Sequence, residues 1–288
     1  MQFDLFTHSR PVMLRNDLIH ALRERAPTGG REAYAKLAAE CPEDSLLAPT
    51  LLLIDQLETR SAPFSSHLEA QRAIRRAESA LSDAATAIFG AAGADRWMTP
   101  VWLALAEACG KLAYCRDIPA AHAANMLIRA RDWEGAEAAT ARIPSWRRIP
   151  DPLAWMAEAR FRLRGEGAAW PLLAELAWRA PPRFAVLARR LDAPSLARLI
   201  REFECDFAGD ADDFAWFPAW ALIAEAGLGD GLCAERTPEY TPPEQAVWML
   251  RKLFALERQG NHRELVENRK TLRALHPDLF TRYMRARE

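Results

Sequence analysis

The order of apolar and polar positions along the chain predicts helices almost throughout. Residues 151–182 show this most clearly, because apolar side chains recur there at helical spacing while charged residues fill the intervening turns: Leu153, Ala157, Phe161 and Leu163. Gly165 can take the left-handed conformation that ends a helix, and Pro181 would stop a second helix. The segment is therefore predicted to be a helical hairpin.

A second stripe lies within residues 66–89 and alternates steps of three and four between small or branched apolar residues: Ala70, Ile74, Ala77, Leu81, Ala85 and Ile88. Because most of these side chains are short, a helix that carries them can lie close to its neighbour. The glycines that follow predict a break near residues 90–95, after which Thr99 and Pro100 begin another helix.

Earlier in the chain, the pattern predicts a first helix over residues 10–25 and a turn at Pro27, Gly29 and Gly30.

Residues 214–224 are apolar on every side, which predicts either a helix at the centre of its lobe or an exposed apolar patch. The stretch 226–241 is rich in turn-forming residues and is the predicted hinge. Thr241 and Glu244 then form the sequence of a capping box around Pro242, which predicts the start of the next helix.

A hairpin of two short helices cannot bury both of its faces alone, so neighbouring hairpins are expected to stack. The predicted fold class is therefore all-α, with stacked antiparallel helical hairpins forming an α-solenoid. We expect one elongated domain over residues 1–288, with the alternative of two lobes, a break near 90–95 and a hinge near 226–241.

The spacing of glycines and prolines resembles that of the tetratricopeptide repeat (TPR), whose hairpins of about 34 residues place a turn and a terminal proline similarly. The interval is 17 residues in three places: Gly135 to Pro152, Gly165 to Pro182 and Gly260 to Pro277. The likeness covers residues 120–182 and 244–288. It departs from the family where Glu158 and Arg162 stand in place of the leucine and tyrosine that follow a tryptophan such as Trp155. The resemblance implies a degenerate TPR-like scaffold for protein-protein interaction, with a concave groove and no chemistry of its own.

Composition and charge narrow the function classes. Hydrophobic residues make up 50% of the chain, while tyrosine occurs only four times, so a large helical core is expected and a sheet is not. The net charge of −1 provides no field that would concentrate nucleic acid or an anionic membrane. No apolar run reaches the length of a bilayer span, and the first ten residues lack the pattern of a signal peptide.

The cysteines are odd in number and widely spaced: Cys41, Cys109, Cys115, Cys205 and Cys233. Without a C-x-x-C pair, they predict neither a zinc site nor a redox couple. We expect reduced, mostly buried thiols in the cytoplasm of a bacterial cell.

One motif provides an enzymatic alternative. Arg15 and His20 resemble the R-x(4–6)-H motif of HEPN-type ribonucleases, including the polar Asn16 after the arginine. The resemblance implies an all-α, metal-independent ribonuclease in which this arginine and histidine act on the scissile phosphate, usually across a dimer of small helical domains. A solvated helix face explains the same residues without any catalysis.

Candidate metal sites are weak. Asn16, His20 and Glu24 recur every four residues and would therefore share one helix face. That spacing is compatible with a set of metal ligands, and also with a polar stripe that faces the solvent. The acidic residues after position 201 lack the order of a calcium loop and predict a solvated loop, or a contact for a basic segment: Glu202, Glu204, Asp206, Asp210, Asp212 and Asp213. We therefore assign no catalytic, cofactor-binding or metal-ligating residue and expect no cofactor.

Tryptophan is abundant, with ten residues, six of which lie in the middle of the chain: Trp97, Trp102, Trp133, Trp146, Trp155 and Trp170. Large aromatic residues dominate binding hot spots, so we expect most of the tryptophans in the core and one or two in a groove.

The sequence thus favours a non-enzymatic scaffold or adaptor that binds a partner protein or peptide. No contact with nucleic acid or membrane is expected, and self-association stays open.

Overall fold

The computed structural model describes residues 5–59, 62–207, 211–232 and 241–287. Within these ranges the chain is helical and contains no strand, which confirms the predicted all-α class. The α-helices are α1 (Leu5–Arg23), α2 (Pro27–Glu40), α3 (Leu47–Glu58), α4 (His67–Arg76), α5 (Ser82–Ala108), α6 (Ala123–Ala130), α7 (Trp133–Ala141), α8 (Pro150–Arg164), α9 (Glu166–Arg179), α10 (Pro181–Arg190), α11 (Pro194–Asp206), α12 (Phe217–Ala224), α13 (Pro242–Gln259), α14 (His262–Leu275) and α15 (Pro277–Arg285). None of the helices in the described ranges has the length and hydrophobicity needed to cross a membrane.

The chain divides into two compact units, residues 1–132 and 133–288, called unit 1 and unit 2 below. Within each unit, helices pack mainly on their neighbours in the chain, such as α1 on α2 and α5 on α6 in unit 1, or α8 on α9 and α13 on α14 in unit 2. Residues 90–95 lie inside unit 1, where Gly90 kinks α5 with φ 69° and ψ 170°. Of the predicted hinge, residues 233–240 lie outside the described residues.

In unit 1, the predicted apolar stripe is confirmed, because all six of its residues are buried. A π-helical turn at Ala77–Leu81 joins α4 to α5, and the stripe residues within it stay buried. The predicted turn at Pro27 was wrong. Pro27 is the first residue of α2, where a missing N–H is harmless, and the chain turns at Arg25 with φ 53°. Gly30 lies within α2, where a Cβ would come 3.3 Å from Ile54 Cγ1 of α3.

In unit 2, the hairpin over residues 151–182 is confirmed: α8 and α9 pack together, and Gly165 joins them with φ 84° and ψ −178°. Pro181 is the first residue of α10. The capping box is also confirmed, since both the N–H and the hydroxyl of Thr241 donate to the Glu244 carboxylate at 2.8 and 2.9 Å. Gly135 lies inside α7, so the turn before it is made instead by Arg131, with φ 60°.

The core of unit 2 contains an aromatic cluster of six buried side chains drawn from four helices and the short turn before α12: Trp170, Phe184, Phe203, Phe214, Phe217 and Trp220. Every residue of α12 from Phe217 to Ile223 is buried. Of the two predictions made for this apolar segment, the central helix is therefore the correct one.

A buried carboxylate in α8 gives a prediction of pH dependence. Glu158 is only 4% exposed and pairs with Arg190. Burial raises its pKa above the ordinary 4.5, although Arg190 and Arg162 act in the opposite direction. The folded state therefore binds more protons than the unfolded state between 4.5 and the raised pKa, and stability falls as the pH rises through that window. We expect Glu158→Gln to be neutral or stabilising, by up to about 1 kcal/mol, at pH 7.

The measurement is urea unfolding of the wild type and Glu158→Gln at pH 7 and pH 5. Any advantage of the variant should be smaller at pH 5 than at pH 7, because the raised pKa makes the wild-type carboxyl take up its proton at a higher pH than an ordinary glutamate does. A variant that loses more stability relative to the wild type at pH 7 than at pH 5 would show that ionised Glu158 stabilises the fold.

Candidate functional site

A cavity of about 480 Å3 opens in unit 1 between the end of α1 and the middle of α5. Its lining combines cationic and aromatic side chains with a glycine and a proline: Arg23, Arg25, Phe89, Gly93, Arg96, Trp97 and Pro100. We call it the arginine–tryptophan pocket.

The end of α1 positions two of the arginines. Arg23 is the last residue of the helix, and Arg25 takes a left-handed conformation that lets the Ala26 N–H donate to the Ala21 carbonyl at 3.0 Å. Bonds of this kind close a helix at its C-terminus. The chain therefore leaves α1 with both guanidinium groups directed at α5.

Two hydrogen bonds tie this end of α1 to Trp97. The indole Nε1 of Trp97 donates to the Leu22 carbonyl at 3.0 Å, and Nη1 of Arg25 donates to the Trp97 carbonyl at 2.9 Å. Because the first bond satisfies a carbonyl near the end of α1 and the second fixes a long side chain, the Arg25 and Trp97 side chains are held in place before any ligand arrives.

The kink in α5 brings Phe89 into the same wall. Phe89 precedes Gly90, and the other α5 residues of the pocket follow at steps of three and four. A Cβ at Gly93 would lie 2.7 Å from Phe89 Cβ, so the ring position depends on the glycine.

The rings and guanidinium groups stack. Phe89 and Trp97 have ring centroids 6.3 Å apart and an interplanar angle of 25°. Arg23 lies 6.0 Å from the Phe89 centroid, and Arg25 lies 4.8 Å from the Trp97 centroid. Such cation–π contacts leave the edge of a guanidinium able to donate to a carboxylate or a phosphate.

The lining of the pocket carries three arginines and no acidic side chain. Across the described residues, no carboxylate forms an ion pair with Arg23, Arg25 or Arg96, whereas other arginines of unit 1 are paired, such as Arg129 with Glu78 and Arg31 with Glu58. Partial burial also lowers the pKa of the Arg25 guanidinium, which means that its charge has lost hydration. The pocket is therefore suited to an anionic group beside an apolar or aromatic one.

A second cavity, of about 160 Å3 in unit 2, differs in this respect. Its lining mixes both signs of charge: Asp206, Phe207, Asp278, Thr281, Arg282 and Arg285. Arg282 Nε lies 3.4 Å from Asp206 Oδ2, so part of its charge is already balanced internally.

The structure places the two residues of the nuclease hypothesis on α1, outside this pocket. Arg15 Nε donates to Asp44 Oδ2 at 2.6 Å, and Asp44 also accepts from the Leu46 N–H at 2.9 Å beside the start of α3. His20 is exposed and lies five positions further along, which corresponds to about 140° around the helix. Arg15 therefore has a structural partner in Asp44, and the ribonuclease function stays a prediction.

The other candidates from the sequence are the possible metal ligands and the cysteines. Asn16 and His20 are exposed on α1, and Glu24 is exposed in the turn just after its end. No group of three or more His, Cys, Asp or Glu side chains in the described part of the chain could hold a metal. The prediction of mostly buried thiols was wrong for the described cysteines, because only Cys109 is buried and Cys205 is exposed. Burial raises the pKa of the Cys109 thiol to about 11.

The acidic residues belong partly to α11 rather than to a loop. Glu202 pairs with Arg198, Glu204 with Arg189, and Asp206 accepts from the Trp220 indole at 2.8 Å. Asp210 lies outside the described residues. Three of the five described members are thus engaged with basic or indole groups of unit 2.

Sequence reasoning did not single out the arginines of the pocket. The available signals were the closely spaced Arg23 and Arg25 at a helix end and the adjacent Arg96 and Trp97. Nothing in the sequence shows that these two pairs meet, because more than seventy residues separate Arg23 from Trp97. Trp97 is the tryptophan that lines the pocket, although only 5% of it is exposed.

No protein-family model, curated protein or solved structure matches the chain.

Proposed function

We propose that this protein is a non-enzymatic binding protein that recognises another protein or a peptide, and that the arginine–tryptophan pocket is part of its contact surface. The observation that carries the proposal is a set of three arginines that have no carboxylate partner among the described residues, two of them over aromatic rings, at the mouth of a preformed cavity. Arginine and tryptophan are the residue types most enriched at binding hot spots.

The helical architecture supports the same proposal. Short helices packed on their chain neighbours, as in the α8–α9 hairpin, are the building units of repeat scaffolds, and such scaffolds bind partners along extended surfaces. A TPR-like stacked arrangement, acting as an adaptor in the cytoplasm, remains the finer form of the proposal. In that form the pocket anchors one segment of the partner.

The test is affinity purification from the native cell with the full chain and with a double variant, Arg23→Gln/Arg96→Gln. Both side chains are exposed and unpaired with carboxylates of the described chain, so the substitutions should leave the fold intact. We expect a stoichiometric partner with the wild type and about tenfold less of it with the variant, because charge-assisted hydrogen bonds are lost.

Arg76→Gln is the matched control, since Arg76 is an exposed arginine of unit 1 that does not line the pocket. It should recover the partner as the wild type does. Recovery of no partner, or equal recovery with the double variant, would contradict the proposal. RNA cleavage that disappears in His20→Ala would replace it with the ribonuclease function.

A further inference from the structure

Three guanidinium groups in one cavity set a requirement on the charge of the ligand. Arg23, Arg25 and Arg96 together supply three positive charges without a carboxylate partner among the described residues. One aspartate or glutamate side chain would balance only one of them. A phosphate monoester carries a charge of about −1.5 to −2 near neutral pH and offers three strong acceptor oxygens.

The arginines are also arranged for a group with several acceptor oxygens. Arg25 donates from Nη1 to the Trp97 carbonyl, and its guanidinium lies over the Trp97 ring. Its other N–H groups have no partner among the described residues and can donate to a ligand. The Arg23 guanidinium carbon lies over the Phe89 ring, 6.0 Å from its centroid. Guanidinium groups match the bidentate geometry of phosphate.

The dimensions and the walls of the cavity indicate that the phosphate would be attached to an organic group. A volume of about 480 Å3 exceeds what a bare phosphate fills and lies in the range of pockets that enclose small organic groups. Phe89 is partly exposed at the wall and can contact an apolar stem or ring attached to the phosphate.

We infer that the arginine–tryptophan pocket binds a phosphorylated side chain of a partner protein, with the phosphate on Arg23, Arg25 and Arg96 and the carbon part of that side chain against Phe89. The inference rests on the proposed function, since it names the group that the partner presents. It makes partner binding dependent on phosphorylation.

Small probes test the chemistry directly. Phenyl phosphate, inorganic phosphate and benzoate are titrated into the full chain at constant ionic strength, and the indole N–H signal of Trp97 is followed by NMR, with Trp97→Phe used to assign it. We expect phenyl phosphate to bind at least about tenfold more tightly than benzoate or inorganic phosphate, because only phenyl phosphate combines the dianion with a ring.

Variants locate the site. Arg23→Gln and Arg96→Gln should each weaken phenyl phosphate binding by about fivefold to tenfold, whereas Arg76→Gln should leave it unchanged. Benzoate binding as tightly as phenyl phosphate, or no loss in either pocket variant, would overturn the inference. Inorganic phosphate binding as tightly, or a nucleoside monophosphate binding at least tenfold more tightly, would also overturn it in favour of a free phosphate-containing ligand.

Phosphatase treatment separates this inference from the proposed function. Treating the cell extract with phosphatase before affinity purification should reduce partner recovery by about tenfold. Recovery that is insensitive to phosphatase but lost in Arg23→Gln/Arg96→Gln would overturn the phosphorylated side chain and leave the proposed function standing. Partner recovery that changes neither with phosphatase nor in Arg23→Gln/Arg96→Gln would contradict both this inference and the proposed function.

Discussion

Replacing Phe217 with alanine is expected to destabilise unit 2 by about 3–5 kcal/mol, the range found for phenylalanine removed from a close-packed core. Phe217 is fully buried at the start of α12. Its ring centroid lies within 6.3 Å of those of five other rings in the aromatic cluster: Trp170, Phe184, Phe203, Phe214 and Trp220. Because these rings come from different elements, the cavity cannot collapse without moving several helices.

The measurement is the midpoint of urea unfolding followed by tryptophan fluorescence. Eight of the ten tryptophans lie in residues 133–288, so this signal reports mainly on unit 2. Phe217→Leu should cost less, because leucine fills part of the space. Val186→Ala, at a residue 64% exposed, should stay within about 0.5 kcal/mol of the wild type. A Phe217→Ala protein as stable as Val186→Ala would show that the aromatic cluster is not a packed core.

Those elements that the sequence predicts correctly depend on local rules. The 66–89 stripe is buried because its spacing matches one helix face. Thr241 caps α13, and Pro242 begins it, because the threonine and Glu244 satisfy the first backbone groups of the helix. Residues 217–223 are central because they offer no polar face to water. None of these outcomes requires knowledge of a distant residue.

Two of the errors fall on residues that have two local uses. Pro27 can stand in a turn or open a helix, and it opens α2 because Arg25 has already taken the left-handed position. Gly135 is similar, since the turn falls on Arg131 and leaves the glycine inside α7. The π-helical turn at Ala77–Leu81 has no signature in the pattern, because the apolar spacing continues through it.

The candidate site escapes prediction for another reason. Whether an arginine is neutralised depends on partners far along the chain: Arg31 has Glu58, while Arg23 has no carboxylate among the described residues. Charge along the sequence is balanced, so the local excess in the pocket arises only when α1 and the kinked α5 meet. The sequence can therefore predict that some tryptophan lines a groove but cannot name Trp97 or the arginines around it.

The second large effect is expected at the junction of α8 and α9. Gly165 combines φ 84° with ψ −178°, a region of backbone space that is open to glycine alone, and it both ends α8 and precedes α9. A Cβ there would meet no atom within 4 Å, so the cost of Gly165→Ala comes from the backbone and not from a clash. We expect a loss of about 1–3 kcal/mol in the urea unfolding of unit 2.

Gly167, two residues later and near the start of α9, provides a control. It lies inside α9, has no positive φ, and a Cβ there also meets nothing within 4 Å. Gly167→Ala should therefore stabilise the protein by about 0.5–1 kcal/mol, because alanine loses less backbone entropy on folding. Opposite signs at two equally open positions would demonstrate that conformation, rather than space, fixes glycine at the hairpin. Equal effects at Gly165 and Gly167 would mean that α8 and α9 can join without the glycine-only conformation.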